Sequence, residues 1–211
     1  NLKTKDRRIE ILNKYKINYV AWGKTKGKSN YSWVDLDNDK AIEVIINYLI
    51  KKNHTHIAYI NISEKYNFAN ERKSSFLKNL KLNKINFNPN YYASVKLEEP
   101  ENSFEVIKKM LTKNKKISAI ICSTEFSALS AIKACNYLNY KIGKDISIIT
   151  FDGALVRDLS SPPITAVSFP VKELGKRAIN ILLNKNKNKN LQVNYSAKTE
   201  IIERGSVHIV S

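Results

Sequence analysis

The fold is decided by one stretch, ISAIICSTEFSALSAIKACNYLNYKIGKDISIITFD, residues 117–152. Its ends are two short apolar runs, ISAIIC (117–122) and ISIITF (146–151). Neither alternates polar with apolar, as a half-solvated strand would. Both read as strands buried on two faces, the signature of a parallel sheet. Between them, residues 124–139 predict a long helix. Strand, crossover helix and strand make a βαβ unit, and the question is how far the pattern extends.

It extends over nearly the whole chain. Upstream, INYVAWG (17–23) and YSWVDLD (31–37) predict strands separated by a polar loop. A helix is expected over 38–52, with Ala41, Ile42, Ile45, Ile46 and Leu49 on one face and Asp37 or Asn38 as its cap. HIAYI (56–60) is a strand, 70–81 a helix with Phe76, Leu77 and Leu80 inward, YYASV (91–95) a strand and 103–111 a helix. Past Pro162-Pro163 the pattern resumes with ITAVSF (164–169) and a helix over 171–183, whose expected buried face is Leu174, Ala178, Ile179 and Leu182. A last strand is expected over 199–203. The fold class is therefore α/β, with parallel, doubly wound sheets covered by helices on both faces.

Composition sets limits on function. The chain has 211 residues with a hydrophobic fraction of 43%, enough for a substantial core. The net charge of +17 invites a nucleic-acid reading. The lysines are dispersed along the whole chain, however, and a compositionally biased surface explains them better. The densest basic run, NKNKNKN (184–190), reads as a solvated loop. Cys122 and Cys135, in apolar surroundings, read as reduced buried thiols. His54, His56 and His208 have no cysteine partners at metal-ligand spacing, so no metal site is expected. No run of about 18 apolar residues suggests a membrane span, and no leading apolar segment suggests secretion. The chain lacks an initial Met, so an upstream segment is expected.

Chemistry is expected where parallel strands end, since ligands in open α/β sheets bind outside the carboxyl ends. Trp22 ends the first strand. Tyr66, Phe68 and Arg72 follow the third, Ser123, Thr124 and Glu125 follow ISAIIC, and Asp152 follows ISIITF. Aromatic faces, one guanidinium, hydroxyls and carboxylates suit a neutral polyhydroxylated ligand or a flat heterocycle. Each residue also has a plainer reading: a turn or cap for Asp152, a surface ion pair for Arg72, core packing for Trp22, and service to the helix dipole for Glu125. Catalytic signatures are missing. There is no G-x-S-x-G, Walker loop, H-E-x-x-H or G-x-G-x-x-G, and six glycines give little from which to build a phosphate cradle.

Three blocks carry a resemblance. They are VDLDNDKAIEVIINYLIKKNHTHIAYI (34–60), NERKSSFLKNL (70–80) and AIICSTEFSALSAIKACNYLNYKIGKDISIITFDGALVRDLSSPPITAVSFPVKELGKRAINILL (119–183). In order and spacing the chain resembles the effector-binding region of the LacI/GalR family of bacterial transcriptional repressors. The family's R-x-x-G-F appears as Arg72 to Phe76 with Ser75 for glycine, its G-H-x-x-I as Asn53 to Ile57, and its Asn-Asp as Thr124-Glu125.

The resemblance implies a two-lobed, periplasmic-binding-protein-like type I fold whose lobes close around a ligand. It implies ligand contacts at Trp22, Tyr66, Phe68, Arg72, Thr124 and Asp152, with Trp22 similar to a stacking residue of the purine-repressor branch. It implies a partial N-terminal lobe over 1–36, a C-terminal lobe over 37–167, a return to the first lobe over 168–192 and to the second over 193–211. A helix-turn-helix headpiece is expected to be absent, the chain starting midway through the first lobe. The implied function is sensing of a small effector, a sugar or nucleobase, by a cytoplasmic homodimer that meets operator DNA only through the missing headpiece. No cofactor, membrane partner or enzymatic activity is expected. A solute-binding protein of a sugar transport system and a doubly wound enzyme are the alternatives.

Overall fold

A computed structural model describes residues 2–27, 30–96, 99–151, 153, 160–187 and 191–210. Two sheets organise them. The small sheet has three parallel strands, β1 (Val20–Trp22), β2 (Ser32–Leu36) and β8 (Asn194–Ala197), in the order β1-β2-β8. The large sheet has six: β3 (Ile57–Ile62), β4 (Tyr92–Val95), β5 (Ala119–Cys122), β6 (Ser147–Phe151), β7 (Thr165–Val167) and β9 (Ile201–Ile202), in the order β4-β3-β5-β6-β7-β9. All its pairings are parallel except that of β9 with β7. Six α-helices accompany them among the described residues: α1 (Arg7–Lys14), α2 (Asn38–Lys51), α3 (Asn67–Leu82), α4 (Pro100–Lys113), α5 (Glu125–Tyr137) and α6 (Val171–Lys187).

Strand periodicity shows why the large sheet is buried twice. Ile57, Tyr59, Ala119, Ile121, Ile149 and Phe151 join Ala41, Ile42, Ile45, Ile46, Leu49 and Phe76 of α2 and α3 in one core. Their neighbours Ala58, Ile60, Ile62, Ile120, Cys122 and Ile148 face a second core containing Ile107, Leu111, Ala131 and Ala134 of α4 and α5. Consecutive strand residues point to opposite faces, so a strand covered on both needs an unbroken apolar run. The small sheet repeats this with less cover. Val34 and Leu36 join Leu174 and Ile181 of α6, while Ala21 and Tyr31 pack with Ile9 of α1.

The chain passes between the sheets after β2, after β7 and after β8. The third passage corrects an expected boundary. Residues 193–197 do not return to the large sheet; β8 pairs with β2 from Trp33↔Asn194 to Leu36↔Ala197, so the crossing comes after Ala197. Two other expectations are corrected. The basic run at 184–190 is not wholly a loop, since α6 continues to Lys187. Of the expected buried face of α6, Leu174 is buried and Ala178 packs against the core, but Ile179 is 60% exposed and Ile181 is buried instead. Leu174, Ala178 and Ile181 fall at i, i+4 and i+7, a narrow stripe that meets the core of the three-stranded sheet.

The strand order identifies the switch point. From β3 the chain goes out to β4, then returns past β3 to β5. The crevice outside the carboxyl ends of β3 and β5 is where such sheets hold ligands.

Candidate functional site

A cavity of about 270 Å³ occupies that crevice. From the small-sheet side it is lined by Trp22 at the end of β1, by Gly23 and Lys24 after it and by Asp35 of β2. From the large-sheet side come Phe68 and Arg72 of α3, Ser123 and Thr124 after β5, Glu125 and Phe126 at the start of α5, and Phe151 at the end of β6. Asn38 and Phe169 stand at two of the passages between the sheets.

Arg72 is the centre of the large-sheet wall. It is buried, and its guanidinium sits over Phe151, with Cζ 3.4 Å from the ring centroid, and near Phe68 at 4.7 Å. Its Nε donates to Asn38 Oδ1 at 2.8 Å and its Nη1 to the Ser123 carbonyl at 2.6 Å. Burial lowers the guanidinium to about 10, so it stays charged at neutral pH. One side chain thus ties α3, the start of α2 and the turn after β5 together, with donors to spare for a ligand.

Thr124 is the N-cap of α5 in a capping box with Ser127: Ser127 N donates to Thr124 Oγ1 at 3.2 Å, and Thr124 N to Ser127 Oγ at 3.1 Å. It therefore has a structural task as well as a place on the cavity wall. Glu125 reaches the cavity beside Gly153, where a Cβ would meet its carboxyl at 2.5 Å. On the opposite side Trp22 meets Phe169 edge to face at 6.2 Å between centroids.

Of the residues singled out from sequence, the structure brings together Trp22, Phe68, Arg72, Ser123, Thr124 and Glu125. Tyr66 stands apart. It precedes α3, packs near Phe68 at 6.2 Å and pairs with Lys3 across an isolated bridge, without lining the cavity. Asp152 lies outside the described residues.

The conspicuous wall residue that sequence reasoning missed is Asp35. It is 6% exposed, and burial raises its carboxyl to about 6, partly offset by the Leu36 amide and by Lys24. Its Oδ1 accepts from Leu36 N at 2.8 Å; its Oδ2 has only a 3.4 Å contact with Asn38 Nδ2. That amide is better placed on Glu71 Oε2, at 3.0 Å, and Glu71 Oε1 also lies 3.1 Å from Lys24 Nζ. A charged residue inside the apolar run WVDL was the available signal. Among the described residues, no group of three or more His, Cys, Asp or Glu is placed to hold a metal ion. Both cysteines are free and buried, and burial pushes both thiols up. No described helix is long and apolar enough to cross a membrane.

Two sheets whose carboxyl ends frame a half-aromatic, half-polar cavity define a ligand-binding domain of the periplasmic-binding-protein-like class. Residues 46–207 match the family described as periplasmic binding protein-like domain. The chain is 28% identical over 206 residues to the HTH-type transcriptional regulator RegA of Clostridium saccharobutylicum, covering 96% of this chain and 61% of that protein. It is 32% identical over 138 residues to the HTH-type transcriptional repressor PurR of Histophilus somni strain 2336, covering 65% of this chain and 41% of the repressor. Among solved structures it superposes on a transcriptional regulator CelR–cellobiose complex with a TM-score of 0.89 at 19% identity, covering 97% of this chain and 63% of that one. It superposes on a LacI family regulator from Enterococcus faecium with bound ribose with a TM-score of 0.84 at 16% identity, covering 96% and 75%. The chain belongs to the periplasmic binding protein-like domain family, as an effector-binding domain of the LacI/GalR type. The chain spans about half the length of the curated regulators it matches.

Proposed function

We propose that this chain is the ligand-sensing part of a LacI-type DNA-binding transcriptional repressor, and that its effector is a sugar held between the two sheets. The cavity at the joint carboxyl ends of the sheets carries this reading, with Trp22, Phe68, Arg72 and Thr124 on its walls. Asp152, next to Phe151, completes the proposed contact set. Aromatic faces cover the apolar side of a sugar ring, while the guanidinium and carboxylates bracket its hydroxyls. Binding between lobes stabilises their closed arrangement, and closure is the signal passed on. In the whole protein the signal reaches operator DNA through an N-terminal headpiece outside this chain, in a cytoplasmic homodimer.

Support for the regulator over a transport protein comes from the named relatives, which are transcriptional regulators. The cellobiose and ribose in two similar structures support a sugar. The test is a thermal-shift screen of sugars and nucleobases with the chain and with Trp22→Ala. A ligand at a hundredfold excess over Kd adds about 2.7 kcal/mol of stability. The expected result is a rise in Tm with one sugar that shrinks in Trp22→Ala. A nucleobase as the only hit moves the effector class, and a rise unchanged in Trp22→Ala moves the site.

A further inference from the structure

On the cavity wall one polar group has no partner and another keeps spare acceptor capacity, and they come from opposite sheets. Ser123 is 1% exposed, lines the cavity, and its hydroxyl has no hydrogen-bond partner. Its backbone is fully engaged, N–H donating to the Ile60 carbonyl and carbonyl accepting from Arg72, so the residue is fixed while its hydroxyl stays idle. On the small-sheet wall, Asp35 has one oxygen on the Leu36 amide and the other on a long 3.4 Å bond from Asn38 Nδ2, leaving acceptor capacity on that oxygen. Among the described residues no cation lies within ion-pair distance of it. Buried hydroxyls and carboxylates are otherwise almost always satisfied, and the exceptions need a cause. A ligand that supplies the missing partners is such a cause.

The surroundings narrow the ligand. At about 270 Å³ the cavity falls just below the roughly 300–1,000 Å³ of drug-sized ligand pockets, leaving room for one ring rather than two. Of the two cations on its wall, Lys24 is paired with Glu71, while Arg72 is anchored by neutral acceptors, Asn38 and the Ser123 carbonyl, and keeps donors for a ligand hydroxyl. Asp35 and Glu125 both line it, so a phosphate would meet carboxylates. Polar groups on both walls call for a ligand whose donors radiate around its rim. Ring hydroxyls do this, each able to donate to Asp35 and to exchange a bond with Ser123.

Resting on the reading of the cleft as an effector site, we infer that Asp35 and Ser123 are specificity-determining contacts, and that they select a neutral monosaccharide over a disaccharide, a sugar phosphate or a nucleobase. The carboxylate accepts from a ring hydroxyl on one side, and the serine hydroxyl engages another on the opposite side. A phosphate at that end would be repelled by Asp35, and a second ring would have no space.

The experiment compares six probes by thermal shift and calorimetry: D-ribose, D-glucose, D-galactose, cellobiose, D-glucose 6-phosphate and hypoxanthine. They are applied to the chain and to its Asp35→Asn and Ser123→Ala variants, each first checked for folding by circular dichroism. The expected result is a response to a monosaccharide alone, with Kd weakened at least about tenfold in Asp35→Asn, as for a lost bond to a charged group, and about threefold or more in Ser123→Ala. Tightest binding of cellobiose, the phosphate or hypoxanthine overturns the inference. So does monosaccharide binding unchanged in both variants, which leaves the cleft sensor standing. Silence from all six probes overturns both.

Discussion

Asp35 sets function against stability. Its carboxyl is raised from near 4 in an unfolded chain to about 6 in the fold, because burial penalises its charge. Lys24 and Arg72 oppose that rise, and Glu71 adds to it. A raised folded value means the fold is favoured while the group is protonated, so this contribution is whole below about pH 4 and is lost as pH climbs through about 6. Asp35→Asn is therefore expected to raise the unliganded protein's stability by about 1–2 kcal/mol at pH 7 and hardly at all at pH 4, read as urea midpoints. Equal midpoints at pH 7 would mean the carboxylate is not strained by burial. His54 works in the opposite sense. It is fully buried, with Nδ1 2.8 Å from Ser118 Oγ and Nε2 3.0 Å from Ser147 Oγ and 3.1 Å from the His208 carbonyl. Burial lowers it to about 4. The unfolded chain takes up a proton from about pH 6.5 downward while the fold resists until about 4, so the contribution of His54 falls across that window by up to about 3 kcal/mol, against the opposite contribution of Asp35. Urea melts between pH 7 and 4 check this; His54→Gln is expected to be less stable at pH 7 but flatter over the window.

At the scale of elements, α6 shows how tertiary cover overrides sequence period. Ile179 and Ile181 are both isoleucines on one helix, yet the first is 60% exposed and the second 8%. Ile181→Ala is expected to cost about 2–4 kcal/mol through the cavity it leaves, and Ile179→Ala less than about 0.5. Equal losses in the two would mean that α6 is rotated from the position described. The start of α5 offers a second test. Thr124→Ala removes a capping bond, so it is expected to cost about 1 kcal/mol whether or not ligand is present. A loss seen only with ligand would assign Thr124 wholly to binding. Capping explains why that residue type stands where the strand gives way to helix, before any ligand is considered.

For the whole molecule the dominant electrostatic fact is the charge of +17. The ion pairs are largely exposed, such as Lys78–Asp39 and Lys96–Glu99, and contribute little. Self-repulsion among the remaining lysines favours expansion, and salt screens it. Raising ionic strength from about 0.02 to about 0.3 M is expected to raise Tm; a fall would show that the ion pairs outweigh the repulsion.

The sequence by itself determined the elements and their class. Strands that need cover on both faces, as at 117–122 and 146–151, can be built only from unbroken apolar runs, and crossover helices carry a 3.6-residue period. Both are local properties of composition and spacing, so the α/β class, Trp22 at a strand end and Phe68 and Arg72 in the segment following a strand were legible. Only the tertiary structure decided which sheet takes a short strand. Asn194–Ala197 joins β2 because Leu36 and Ala197 share a register and a core, a relation between residues 161 positions apart. It likewise decided that Ile179 is bare, since no pattern on a helix states how wide its neighbour is. It turned Asp35 from a polar interruption into a wall of the cleft and set Tyr66 aside from it. Burial and proximity are properties of pairs distant in the chain, and no single stretch of sequence contains them.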